Sequence, residues 1–229
     1  MPASADFNGS SQWLTLIDAV NGPHKNLSYP FSVLSISRRV ADVNTGATLG
    51  LGASTTGLPA VSCRHTSAEV PRGAIADNIS FTNVTGTTDT TNIWGLLCFV
   101  VTSATDYDIF WNYVNEAGGT TSRDVLAFVA TMNATVIGNS ATPASGHHGQ
   151  IFFVGAYNRA LTASEQKEIA RNPWLFSKNQ VCKYFLLNTI SAAGDCKDQG
   201  PGKYNMTGGT VPSASSLCPP VFMDGGIPY

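Results

Sequence analysis

The stretch Gly149–Trp174, GQIFFVGAYNRALTASEQKEIARNPW, decides the fold. Its first half, Ile151–Tyr157, is an apolar run rich in β-formers. Its second half breaks into a short helix with a marked start and stop. Thr162 and Glu165 have the S/T-x-x-E spacing of a capping box, in which each side chain satisfies a free backbone N–H at a helix start. Asn172-Pro173 is the stop, because proline removes a donor and biases the preceding residue out of the α region. The expectation is a strand ending near Asn158, followed by one helix over Thr162–Arg171.

Outward from this stretch, the chain reads as short strands between turn clusters, the pattern of a β-sandwich. Expected strands are Trp13–Ile17, Phe31–Arg38, Ala47–Gly52, Ala60–His65, Ile79–Thr82, Ile93–Thr102, Tyr107–Val114, Val125–Thr131 and Val136–Gly138. Turns fall at Asn8-Gly9, Asn21-Gly22-Pro23 and Gly118-Gly119. The continuous apolar run Ile93–Val101 predicts a central strand covered on both faces. After Phe176 one more strand is expected (Val181–Leu187). Ser, Gly, Pro and Thr then dominate without helical periodicity. The expected organisation is a sandwich over residues 1–176 and an irregular C-terminal extension over 177–229. Pro219-Pro220-Val221-Phe222 and Ile227-Pro228-Tyr229 carry contact residues without a core of their own. The extension is therefore expected to dock, either on the chain's own domain or, as the preferred reading, on neighbouring subunits, with Phe222 and Tyr229 as contacts.

Several segments, in order along the chain, resemble laminin-G-like, concanavalin-A-like jelly-roll domains. Ala5–Ser10 followed by Trp13-Leu14 is similar to their opening strand. Tyr29–Ile36, Trp94–Asn112 and Val136–Asn139 resemble later strands, and the strand–YNRAL–helix–NPW segment resembles their closing element. The resemblance implies an all-β, antiparallel jelly-roll sandwich with one short helix, and it places Trp94 and Trp174 in packed positions. Proteins with this closing segment are common among tailed-bacteriophage virion proteins, so the resemblance also implies a virion location.

Composition narrows the function. Hydrophobic residues make up 43% of the 229 residues and charged ones only 12%, against roughly 25% in typical soluble domains. The net charge of −2 gives no electrostatic reason to expect nucleic acid or an anionic membrane as partner. Arg38-Arg39 is a lone basic pair. No apolar stretch reaches the roughly 18–20 residues that span a bilayer. The N-terminus lacks the basic and apolar regions of a secretory signal, so Asn26, Asn78, Asn83, Asn133 and Asn205 are expected to be incidental sequons. Cys63, Cys98, Cys182, Cys196 and Cys218 are odd in number and do not form a disulfide framework. Cys98 reads as a core residue; a disulfide or zinc among the last three stays open.

Candidate chemistry is sparse. Asp106 and Asp108 share one strand face, as a glycosidase pair about 5–10 Å apart would need, but turn aspartates are the expectation. His147-His148 lies among glycines and reads as a structural or solvated loop, with metal binding or a catalytic role as the alternative. Calcium, which takes six to eight oxygens, could draw on Asp42, Asp77, Asp89 and Asp124, but these are isolated in sequence. No cofactor is expected. For sugars or subunits, aromatic side chains are the usual platform. Trp111 and Tyr113 alternate with Phe110 and Asn112, so one pair faces outward on a regular strand. The possible ligand or subunit contacts are thus Trp111, Tyr113, His147, His148, Phe222 and Tyr229. The expected function is a non-enzymatic virion protein that decorates the capsid as a homo-oligomer, with a trimer possible, bound to the major capsid protein. The alternative is a carbohydrate-binding module that takes host surface glycans.

Overall fold

The computed structural model describes residues 4–40, 45–52, 59–77, 80–139, 146–187 and 189–217. Its strands, in chain order, are β1 (Ala5–Asn8), β2 (Trp13–Ile17), β3 (Phe31–Arg39), β4 (Gly46–Gly52), β5 (Pro59–His65), β6 (Pro71–Ala76), β7 (Phe81–Thr85) and β8 (Trp94–Ser103). There follow β9 (Asp106–Trp111), β10 (Val114–Gly119), a short helix α1 (Val125–Val129), β11 (Ala134–Ile137), β12 (His148–Tyr157) and helix α2 (Ala163–Arg171). The chain then adds β13 (Gln180–Phe185), β14 (Gly208–Thr210) and β15 (Ser213–Ala214). One sheet has the order β10-β9-β8-β3-β12-β1-β15, with β13 also on β12; the other runs β14-β2-β11-β4-β5-β6-β7. Neighbouring strands within both sheets are antiparallel, and the two sheets pack face to face as the jelly-roll sandwich expected.

Strand periodicity explains the packing. On β8, Leu97, Phe99 and Val101 point between the sheets, while Leu96, Cys98 and Val100 point the other way into a second apolar cluster. Both sets are buried, so the long apolar run is a central strand covered twice. The cover on the outer face is α2. Leu161, Ile169 and Ala170 lie on Leu34, Ile36, Phe153 and Tyr157. A register shift on β12 between Ile151 and Phe153 sends both Phe152 and Phe153 to this outer cluster, as a bulge does by inserting an extra residue.

The capping box forms as the sequence predicts. Thr162 N donates to Glu165 Oε2 at 3.0 Å, and Glu165 N donates to Thr162 Oγ1 at 3.3 Å. Arg159 pairs with the same Glu165 carboxylate.

Three expectations change. Val125–Thr131, read as a strand from its β-branched and aromatic residues, contains the short helix α1. Asp124 Oδ1 accepts from Leu126 N at 3.1 Å, and Lys25 Nζ donates to the Val129 and Ala130 carbonyls at 3.1 and 2.8 Å. The local Asp124 cap and the tertiary Lys25 cap engage the two helix ends and override local β-propensity. Strands β6 and β10 were not anticipated, because PRGAIA and VNEAGG are short and rich in small residues. The third change concerns residues after Phe176. They are mostly irregular in backbone, yet they supply strands to both sheets and place Val181, Cys182, Tyr184, Leu186, Cys196 and Met206 in the inter-sheet core. Asp198 ties this segment together, accepting from the backbone N–H groups of Lys183, Gly200 and Tyr204 at 2.8, 2.7 and 3.0 Å.

Among the described residues, no helix is long and apolar enough to cross a membrane. Cys63, Cys98, Cys182 and Cys196 are free and buried; Cys218 lies outside the described residues.

Candidate functional site

Proline at position 173 ends α2 and turns the chain so that Trp174 comes to the surface. Its indole is 48% exposed, against the packed position that the sequence resemblance implied. One face of the ring stacks on Phe185, with centroids 3.5 Å apart and planes at 11°; Phe152 meets it edge-on at 6.3 Å. The neighbouring backbone is fixed by Lys183 Nζ, which donates to the Trp174 carbonyl at 2.9 Å. Trp174 and Phe185 form one wall of an open cleft of ≈ 270 Å³. Leu187 and Ile190 add apolar lining, and Thr189, Asp195, Lys197 and Gln199 supply polar groups. Asp195 is held as an ionised acceptor. The backbone N–H groups of Ser191 and Ala192 keep its carboxyl below the usual carboxylate range, and both donate to Oδ2 at 2.9 and 2.8 Å. A stacked aromatic face beside a fixed carboxylate and further polar side chains is the chemistry of a pyranose platform: the apolar C–H face of the sugar stacks and its hydroxyls reach the polar rim.

The sequence candidates fall elsewhere. Trp111 faces the inter-sheet core at 4% exposure and meets His65 edge-on at 5.7 Å. Strand alternation turns it inward, so its ring is closed to a ligand or neighbour. Tyr113 sits with Asn112 in the two-residue turn between β9 and β10, both at positive φ. It packs half-buried against the outer apolar cluster, and burial pushes its hydroxyl up to about 12. His147, expected in a structural or solvated loop, is fully buried. Its ring lies 6.0 Å from His65, beside the buried Arg39–Glu69 ion pair. His148 opens β12 and is partly buried, on the opposite side of the strand. Phe222, Tyr229 and Asp42 lie outside the described residues.

The acidic candidates are committed to local structure. Asp106 is exposed at the start of β9, and Asp108 accepts from Asn115 Nδ2 at 3.1 Å. Asp77 accepts from Ser80 N and pairs with Arg123 at 3.6 Å. Asp89 accepts from Thr91 N, and Asp124 caps α1. Among the described residues, no group of three or more His, Cys, Asp or Glu side chains is placed to hold a metal ion.

No protein-family model matches the sequence, and no curated protein matches it. Solved structures do resemble it. A Bacteroides ovatus protein, provisionally named as carbohydrate binding, superposes with a TM-score of 0.61 at 16% identity, over 94% of this chain and 61% of that one. The CBM40 module of the Ruminococcus gnavus IT-sialidase, bound to α2,3-sialyllactose, gives 0.56 at 11% identity, over 70% of this chain and 94% of the module. The Streptococcus pneumoniae NanB sialidase gives 0.51 at 15% identity, over 71% of this chain and 27% of that one. The chain thus spans less than two thirds of the Bacteroides protein and of NanB. These likenesses define the class: a concanavalin-A-like β-sandwich of the architecture found in carbohydrate-binding modules.

Proposed function

We propose that this chain is a non-catalytic glycan-binding module whose sugar contacts centre on Trp174. The observation that carries the reading is the half-exposed Trp174 ring, braced by Phe185 and flanked by Asp195, Lys197 and Gln199. A large apolar face kept in water and rigidly oriented is costly unless a ligand covers it. Carbohydrate binding in the structural neighbours supports the same reading. The capsid-decoration reading rests on the sequence resemblance alone. In a virion, the module would attach to host-surface glycans, and a homo-oligomer would raise avidity by presenting several sites at once.

Tryptophan fluorescence tests the site. Trp94 and Trp111 are buried and Trp13 is partly buried on β2, so a ligand-dependent change that is lost in Trp174→Ala reports on Trp174. A glycan selected on an array should quench or shift the emission of the wild type. Trp174→Ala should weaken binding about tenfold or more, the loss of roughly 1.4 kcal/mol or above expected for a stacked aromatic anchor. Because the ring is half-exposed, the same change should cost only about 1–2 kcal/mol of stability, below the 3–5 typical of a buried tryptophan. Binding unchanged in Trp174→Ala, or no glycan bound by the wild type, would sink the proposal.

A further inference from the structure

A second feature lies on the other side of the sandwich. The inward face of β5 and β6 carries Val61, Cys63 and Ile75, so Ser62, Arg64, Arg72 and Ala74 form the outward face by strand alternation. Arg64 and Arg72 are directly opposed in the β5–β6 register, and Thr85 on β7 continues the row beyond Arg72. Like charges placed opposite one another destabilise a sheet. Here the penalty is larger, because Arg64 is only 9% exposed.

Among the described residues, nothing neutralises the pair. Arg64 Nε donates to Ser62 Oγ at 2.9 Å, and Arg72 Nε donates to Thr85 Oγ1 at 3.1 Å. The two hydroxyls pin the guanidinium stems and leave the Nη ends over. Arg64 Nη2 is buried and has no hydrogen-bond partner. The ion pairs of the described residues join Arg39 to Glu69, Arg123 to Asp77 and Arg159 to Glu165, and do not include Arg64 or Arg72. Burial and then the neighbouring Arg72 charge lower Arg64 to about 10, so it remains a cation at neutral pH. A buried, unpaired guanidinium is among the most costly groups a fold can retain.

We propose that Arg64 and Arg72 form an oxyanion-binding site on the outer face of the seven-stranded sheet. The ligand supplies the missing counter-charge as a carboxylate, sulfate or phosphate group. A guanidinium presents parallel N–H donors that such a group accepts in pairs. The two stems are already held, so little side-chain freedom is lost on binding. This site is separate from the Trp174 cleft, which lies over the other sheet, and it stands or falls independently of it. The spacing of Arg64 and Arg72 in sequence gives no motif; only the hairpin register brings them together.

The test is thermal unfolding of the full chain at neutral pH with low-millimolar sodium sulfate, sodium phosphate or sodium glucuronate, ionic strength being held constant with sodium chloride. At least one oxyanion should raise the Tm saturably, as expected for a ligand that binds only the native state, while chloride does not. The shift should disappear in Arg64→Met and in Arg72→Gln. Without oxyanion, Arg64→Met should melt at or above the wild-type temperature, because an uncompensated charge has been removed. A response to glucuronate alone assigns a sugar acid; a response to sulfate or phosphate alone assigns an esterified oxyanion. No saturable shift with any of the three, or an equal shift in the wild type and Arg72→Gln, overturns the proposal.

Discussion

Deleting residues 178–229 should abolish cooperative folding. The described part of that segment contributes β13, β14 and β15, which pair with β12, β2 and β1. It also places Val181, Cys182, Tyr184, Leu186, Cys196 and Met206 in the inter-sheet core. At about 1.5–3 kcal/mol for each large buried side chain, their removal costs on the order of 10 kcal/mol. That rivals the whole stability of a domain, about 5–15 kcal/mol. Two further ties to the rest of the chain would be lost: Ala5 N donates to the Leu186 carbonyl and Ser4 N to the Leu217 carbonyl, both at 3.0 Å. The truncated chain should show no sharp near-UV circular dichroism and no sigmoidal urea transition. A cooperative transition with a wild-type m-value would instead make residues 178–229 a dispensable appendage, as the sequence alone suggested.

That contrast shows where sequence reasoning works in this molecule. The capping box, the Asn172-Pro173 stop and the doubly buried run of β8 are local patterns, and each is legible because the physical cause lies within a few residues. In the C-terminal segment only β13 was legible, as the strand expected over Val181–Leu187. β14 and β15 are three and two residues long, too short for periodicity to register, and the core residues Cys196 and Met206 stand isolated among polar residues and glycines. The helix α1 was misread because VLAFV has β-forming composition, while its second cap comes from Lys25, distant in sequence. The surroundings of individual side chains were hidden for the same reason. Trp174 looked like a core residue until the turn after Pro173 exposed it. His147 looked like a loop residue until tertiary packing set it against His65. Arg64 and Arg72 become neighbours only through a hairpin register. Turn signals around Thr66–Val70 could have suggested that register, but not the absence of a carboxylate.

Acid should unfold this protein well above the pH at which its carboxylates alone would, and the His65–His147 pair is the reason. Both rings are fully buried. The His65 Nδ1 lies 2.9 Å from Thr90 Oγ1, which itself donates to the Glu69 carbonyl at 2.6 Å. The hydroxyl therefore accepts from Nδ1–H, leaving Nε2 as the unprotonated nitrogen, and that atom has no partner. Both nitrogens of His147 are likewise buried, and the nearby Arg38 and Gln150 backbone carbonyls only partly offset that burial. Protonating either ring would add a cation beside the other ring and near Arg39, whose nearby carboxylate, Glu69, is already engaged. Burial first, then His147 and Arg39, hold His65 well below its ordinary value; burial and Arg39 lower His147 to about 3. The sign follows. Above about pH 6.5, both states are neutral and the pair contributes no pH dependence. Below it, the unfolded chain takes up protons that the native state refuses, so stability falls by about 1.4 kcal/mol per pH unit for each histidine. Between pH 6.5 and 4.5 the two together should remove about 4–5 kcal/mol. His24, also buried and shifted down mainly by burial, acts in the same direction. Urea midpoints measured across pH 7.5 to 4.5 should fall steeply below pH 6.5. In His147→Gln, which cannot titrate there, the slope should drop by about the share of one proton. An unchanged slope in that variant, or a flat wild-type profile, would mean that the native interior accommodates the imidazolium, and the buried pair would then have no part in acid sensitivity.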